Sequence, residues 1–169
     1  MIKTHSLYDG NLNDPEEFSM SQLSAVLQFP PPSPQQSASW LHDKLAHYAD
    51  AWDVAQDLSR GIAGIVVIDT RSEQQYHAGH ICGALSFPHR LMNADTLAGW
   101  DRETVYITYC DGIGCNGSTK GAWKLASAGL KVKELIGGLD FWRRDSHPVT
   151  EGNEPGHWPE EPGLHDCGC

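Results

Sequence analysis

No stretch of this 169-residue sequence approaches the roughly 20 consecutive apolar residues needed to cross a bilayer. The opening MIKTHSLYDGN lacks the apolar core of a secretory signal, so a cytoplasmic location is expected. Basic residues are scarce: 12 Lys and Arg stand against 22 Asp and Glu, a formal net charge of −10. That imbalance argues against nucleic acid and against an anionic membrane surface as partners, because both attract basic patches. Cysteines are few and odd in number, at positions 82, 110, 115, 167 and 169, in a chain large enough to build a core without covalent staples. Reduced thiols with chemistry to perform fit that count better than a disulfide framework.

What is present reads as one globular domain with an extension at each end. Apolar residues make up 40% of the chain, and both signs of charge are mixed along it, as in folded soluble proteins. Asp14-Pro15-Glu16-Glu17 has the cap, first-turn proline and acids of a short helix running toward Phe29. The proline- and serine-rich run over residues 30–37 then reads as an extended linker. Residues 1–37 are therefore expected to be an extension and linker, 38–150 the main domain, and 151–169 a mobile acidic tail ending in Cys167-Gly168-Cys169.

Within the main domain, Leu41, Leu45, Tyr48 and Trp52 recur at intervals of three and four, the pattern of one apolar helix face. Asp50 marks a restart, so one kinked helix or two short ones lead to Gly61. Residues 64–69, 84–87, 104–109 and 131–136 read as strands, the first apolar throughout as if buried on both faces. Helical patterns fill 94–100, 118–128 and 139–145. The alternation predicts an α/β fold, a parallel sheet flanked by helices.

The stretch YCDGIGCNGSTK, residues 109–120, follows the third strand, and in an open α/β sheet ligands bind beyond the carboxyl ends of strands. Gly112, Gly114 and Gly117 spell the G-x-G-x-x-G of a dinucleotide turn, with Glu134 at the distance of a ribose ligand. Against this, a strand and a crossover precede the motif, and the sequence after Glu134 leaves no room for a second nucleotide half. As a thiol loop the same residues place Cys110 at the end of a buried strand, opening a loop that leads to a helix beginning near Ser118. Backbone N–H groups and the helix dipole there lower a thiol pKa toward the nucleophilic thiolate. The local sequence leaves open whether Cys110 is instead a small buried hydrophobe.

The stretches IDTRSEQQYHAGHICGALSFP (68–88) and YITYCDGIGCNGSTKGAWKLASAGLKVKELIGGLDFW (106–142) resemble the rhodanese-like family of sulfurtransferases. The matching features are D-x-R after the first strand, G-H-I-x-G-A with its following proline, the strand-end cysteine, A-G before the fourth strand, and G-G-x-x-x-W. The resemblance implies a rhodanese-like parallel sheet flanked by helices. It also implies that Cys110 takes sulfur from a donor, carries it as a persulfide and passes it to a thiol or another thiophilic acceptor. Asp111, Gly112, Ile113, Gly114, Cys115, Asn116 and Gly117 would then cradle the persulfide, with no metal and no cofactor required.

Asp111 stands where thiosulfate-using members of the family tend to carry basic residues. In an acidic protein this predicts that an anionic donor is repelled, and favours a persulfide on a small thiol or on a partner protein, with Lys120 the nearest cation. The loop is also longer than usual, yet the related phosphatases need an arginine six residues after the cysteine to clamp phosphate. Position 116 is Asn, and counted from Cys115 the position is Gly121, so phosphatase chemistry is not expected. Cys115 is placed to resolve a persulfide as an internal disulfide; Cys167 and Cys169 are further candidate resolving thiols. For each, a thiol without chemistry is the plainer expectation. The His165, Cys167 and Cys169 cluster falls short of a closed four-ligand zinc site. Asp69 with Arg71 reads as a strand-end ion pair, His80 as a turn anchor, and Cys82 and Trp142 as packing residues. A rival reading from a different class is a non-catalytic interaction or redox-sensing module whose thiol loop binds a partner. No oligomeric state follows from the sequence.

Overall fold

A computed structural model describes residues 24–159; Cys167, Cys169 and most of the helix expected from Asp14 lie outside them. By its contacts the chain divides between Ala38 and Ser39. In chain order the elements are α1 (Pro34–His47), β1 (Tyr48–Ala49), α2 (Ala51–Ser59), β2 (Ile65–Asp69), α3 (Glu73–His77), β3 (His80–Ile81), β4 (Leu85–Ser86), α4 (Ala94–Leu97), β5 (Val105–Tyr109), α5 (Gly117–Ser127), β6 (Lys131–Leu135), α6 (Gly138–Arg144) and β7 (Val149–Thr150). Five strands form a parallel sheet in the order β1-β6-β5-β2-β4, and β3 pairs antiparallel with β7 beside it.

The period of two along the central strands sorts their side chains into two cores. Val67, Ile107 and Tyr109 face Val54 of α2 and Leu139 and Trp142 of α6. Ile68 and Tyr106 belong to the opposite face, with Leu97 of α4 and Leu125 of α5. The register sets Asp69 opposite Tyr109, so β2 and β5 end side by side. Thr70 locks those ends together, donating to the Tyr109 carbonyl from its backbone N–H at 3.0 Å and from its hydroxyl at 2.7 Å.

Three expectations differ from what is observed. Helix α1 starts at Pro34, inside the stretch expected to be an extended linker: Ser33 and Gln36 form a reciprocal cap, and proline at the first helical position is pre-set for the helix. Its apolar face is not a core face. Leu41 and Leu45 are 52% and 74% exposed, because the helix stops at His47 and Tyr48–Ala49 leave it to pair with β6 at the sheet edge. Asp50 does restart a helix, accepting a hydrogen bond from the Asp53 N–H at 2.8 Å. Finally, residues 151–159, expected to be mobile, are held against the domain. The Gly83 N–H donates to the Pro155 carbonyl at 2.6 Å, the Cys82 thiol donates to the His157 carbonyl at 2.8 Å, and the Trp158 ring meets Trp142 edge-on. The composition of the segment is that of a tail, but the aromatic near its end packs against the core cluster.

His147 is buried against Trp142, with ring centroids 4.8 Å apart. Burial pushes its imidazolium pKa down, with Asp145 opposing, so folding favours the neutral ring. Its contribution to stability is complete above the unfolded-state pKa of about 6.5 and is lost as the pH falls below it toward the folded value. Urea unfolding is therefore expected to show declining stability below that pH, with a shallower slope in His147→Phe. An unchanged slope would exclude His147 as the origin.

Candidate active site

Cys110 is the first residue after β5 and is 5% exposed. Its carbonyl accepts from the Leu139 N–H at 3.0 Å, and the next carbonyl, of Asp111, accepts from the Asp140 N–H at 2.8 Å. The first turn of α6 thus clamps the loop at its root. Gly138 makes that approach geometrically open: its φ is +57°, and a Cβ there would run into the Cys110 carbonyl oxygen. On the other side the loop leads into α5, whose N-terminus carries no side-chain cap. Backbone donors of that first turn are free to meet negative charge, and the dipole favours it.

Beneath the loop lies a buried polar network that sequence spacing gave only in part. Asp69 is fully buried and accepts from Arg71 Nη2 at 2.6 Å and from the Tyr109 hydroxyl at 2.7 Å. The expected Asp69–Arg71 ion pair exists, but Arg71 also reaches forward to Asp111 Oδ1 at 3.0 Å. Gln75 Nε2 donates to the other Asp111 oxygen at 3.0 Å. Burial opposes the charge of Arg71, yet the hydrogen bond and charge of Asp69, helped by Asp111, push the guanidinium pKa up. Burial and Asp69 also raise the Tyr109 pKa well above its ordinary value, which keeps the phenol protonated as the donor to Asp69. Tyr76 is pushed up to about 12, mainly by burial.

This changes the electrostatics expected at Asp111. Its carboxylate is bound by Arg71 and Gln75 and does not face the incoming ligand alone. The cleft beside it, of about 530 Å³, is lined by Cys110, Cys115, Asn116 and Gly117 on the loop side and by Arg71, Glu73, His89 and Arg90 on the other. Burial, then Lys120, Lys124 and Arg90, depress the His89 pKa. Arg71 is shared between Asp69 and Asp111, so the three residues together keep one negative charge, and Arg90 is a further cation on the opposite wall.

The structure does not bring the whole expected cradle together. Asp111, Cys115, Asn116 and Gly117 line the cleft with Cys110, whereas Gly112, Ile113 and Gly114 line only a second hollow toward β6 and α6, which Cys115 and Asn116 also border. A turn from the Cys115 N–H to the Gly112 carbonyl, 3.0 Å, throws the tip of the loop away from the cleft and leaves Ile113 78% exposed. Glu134, the ribose ligand of the dinucleotide alternative, accepts instead from the hydroxyls of Ser118 at 2.7 Å and Thr119 at 2.9 Å. Gly117, third glycine of that motif, packs against the Cys110 and Cys115 sulfurs rather than opening toward a pyrophosphate. Cys110 and Cys115 are joined as a disulfide with Cα atoms 6.3 Å apart, within the usual range of about 4.4–6.8 Å. Gln75, His89 and Arg90 were not anticipated from the sequence, since nothing local ties them to a loop that follows them by about twenty residues or more.

The profile of the Rhodanese-like domain family matches residues 37–145. The chain belongs to that family. The rhodanese-like domain is 35% identical over 116 residues to the HTH-type transcriptional regulator Rv0324 of Mycobacterium tuberculosis, covering 68% of this chain and 51% of the regulator; it spans about half of that protein. It is 30% identical over 101 residues to the thiosulfate sulfurtransferase GlpE of Pseudomonas entomophila, covering 58% of this chain and 89% of that enzyme. Among solved structures, the BH2092 protein from Bacillus halodurans superposes with a TM-score of 0.68 at 39% identity, covering 71% of this chain and 88% of that one. The α/β architecture is that of the rhodanese-like proteins. No helix among the described residues is long and apolar enough to cross a membrane.

Proposed function

We propose that this rhodanese-like domain is a sulfurtransferase that moves a sulfane sulfur through a persulfide on Cys110 to a thiol acceptor. One observation carries it: Cys110 sits at the root of a clamped loop, against the uncapped N-terminus of α5, at the edge of a cleft rimmed by Arg71, His89 and Arg90. Those backbone donors favour the thiolate over the thiol and the persulfide anion after it. The thiolate attacks the outer sulfur of the donor and a carbon-free or carbon-borne leaving group departs with the bonding electrons; from thiosulfate that group is sulfite. Because Arg71 is shared between Asp69 and Asp111, one negative charge remains beside Cys110; persulfidated small thiols or partner proteins are the favoured donors, and Arg90 on the opposite wall is the cation through which thiosulfate would be admitted. The relationship to GlpE supports this class of chemistry.

The test is sulfite formation from thiosulfate by reduced protein in the presence of a small thiol. Formation is expected to fall at least about a hundredfold in Cys110→Ser. A Cys110 that alkylates readily while neither thiosulfate nor a persulfidated thiol yields product would overturn the enzyme reading. An interaction or sensing module, for which the similarity to a transcriptional regulator speaks, would then be the better account.

A further inference from the structure

We propose that Cys115 discharges the Cys110 persulfide from within the loop, so that the donor's sulfur leaves as sulfide and the Cys110–Cys115 disulfide is a state of the working cycle. The step rests on the sulfur loading proposed above and names its outcome.

Four observations converge on it. The two sulfurs are bonded to each other, across a Cα separation of 6.3 Å that needs no rearrangement of the loop. Position 117 is where both sulfurs meet: a Cβ there would lie 2.9 Å from Cys110 Sγ and 3.4 Å from Cys115 Sγ, so glycine leaves the space in which they approach. The turn from Cys115 N–H to the Gly112 carbonyl folds Cys115 back toward Cys110 instead of letting it follow the exposed tip. Lastly, Cys110 is buried while Cys115 is partly exposed on the same cleft, the order of access a resolving thiol requires. Cys82, the remaining cysteine among the described residues, is buried with its thiol given to the His157 carbonyl and takes no part.

The loaded enzyme carries Cys110–S–S⁻. The Cys115 thiol gives up its proton and its sulfur attacks Cys110 Sγ. The bond between Sγ and the outer sulfur breaks, the Sγ–Sγ bond forms, and the outer sulfur departs with the electron pair, taking the proton as HS⁻. Two electrons pass from the cysteine pair to the sulfane sulfur. Two equivalents of a small thiol, or one of a dithiol reductant, then reopen the disulfide at its exposed Cys115 side. Because the attacking thiol is tethered, it discharges a persulfide whose sulfur no acceptor thiol has taken.

The experiment mixes reduced full-length protein with thiosulfate under anaerobic conditions and no added thiol, following sulfite, sulfide and intact mass. Wild type is expected to release sulfite and then about one equivalent of sulfide, to end lighter by two hydrogen atoms, and to yield a crosslinked Cys110–Cys115 peptide. Cys115→Ser and Cys115→Ala are expected to release sulfite, keep one added sulfur atom and give up sulfide more than about tenfold more slowly. If wild type releases sulfite but retains the added sulfur with Cys115 open to alkylation, the resolving role is overturned and the sulfurtransferase stands. If no sulfite appears from any of the three, sulfur loading itself fails and this step falls with it.

Discussion

Replacing Arg71 with leucine is expected to cost about 3–5 kcal/mol of folding stability, the cost of leaving a buried charge without its partner. Asp69 has no exposed surface, and its carboxylate is satisfied by Arg71 and the Tyr109 hydroxyl alone among side chains. Without the guanidinium it must take up a proton or stay uncompensated in a medium of low dielectric. The same change frees Asp111, whose Oδ1 loses its cation, and unties Arg71 Nη2 from the Gly79 carbonyl at 2.7 Å. Urea unfolding measures the loss directly. In the Asp69→Asn, Arg71→Leu double variant no buried charge remains, so part of the stability is expected to return, a non-additivity that a purely steric role would not produce. A single-variant loss below about 1 kcal/mol would put the pair in the class of surface ion pairs and sink the account of the network as the floor of the site.

Gly138→Ala is expected to cost about 2–4 kcal/mol, combining left-handed backbone strain with displacement of packed backbone. Two effects add here. At φ +57° an L residue is disfavoured, and the new methyl would meet backbone, the Cys110 carbonyl oxygen and Asp111, where no side chain rotates away. The clamp formed by the Leu139 and Asp140 N–H groups on the Cys110 and Asp111 carbonyls must loosen, so sulfite formation should fall along with stability. Gly64→Ala is the control: φ is +86°, but nothing lies within 4 Å of the added carbon. It is expected to show the strain alone, about 1 kcal/mol. Equal losses in the two variants would show that close approach at Gly138 contributes nothing.

Much of the scaffold was legible in the sequence because the central strands are dictated by local pattern. The apolar run ending at Asp69 and the strand ending at Tyr109 occupy the places expected of them, since branched and aromatic residues in such runs have no better use than a buried sheet. The alternation of strands with helical segments then leaves few topologies other than a parallel layer. Helix faces were less reliable. Leu41 and Leu45 have the spacing of a core face and lie exposed, because periodicity says which residues share a face and not what that face meets. The segment 151–159 failed for the related reason that composition is blind to a docking partner such as Trp142.

The sequence by itself determined where the candidate site lies: a cysteine at the end of a buried strand, a glycine-bearing loop, and a helix starting just beyond. Local connectivity is enough to bring those three together. Only the tertiary structure decided the electrical and redox character of that place. Arg71 follows β2 and Asp111 follows β5, some forty residues later, and they meet because parallel pairing ends the two strands side by side. That meeting gives an acidic residue a structural role, as the acceptor of Arg71 and Gln75. Likewise, whether Cys115 points outward or back to Cys110 depends on a single turn in the loop and on the room left at Gly117, both fixed by packing rather than by spacing.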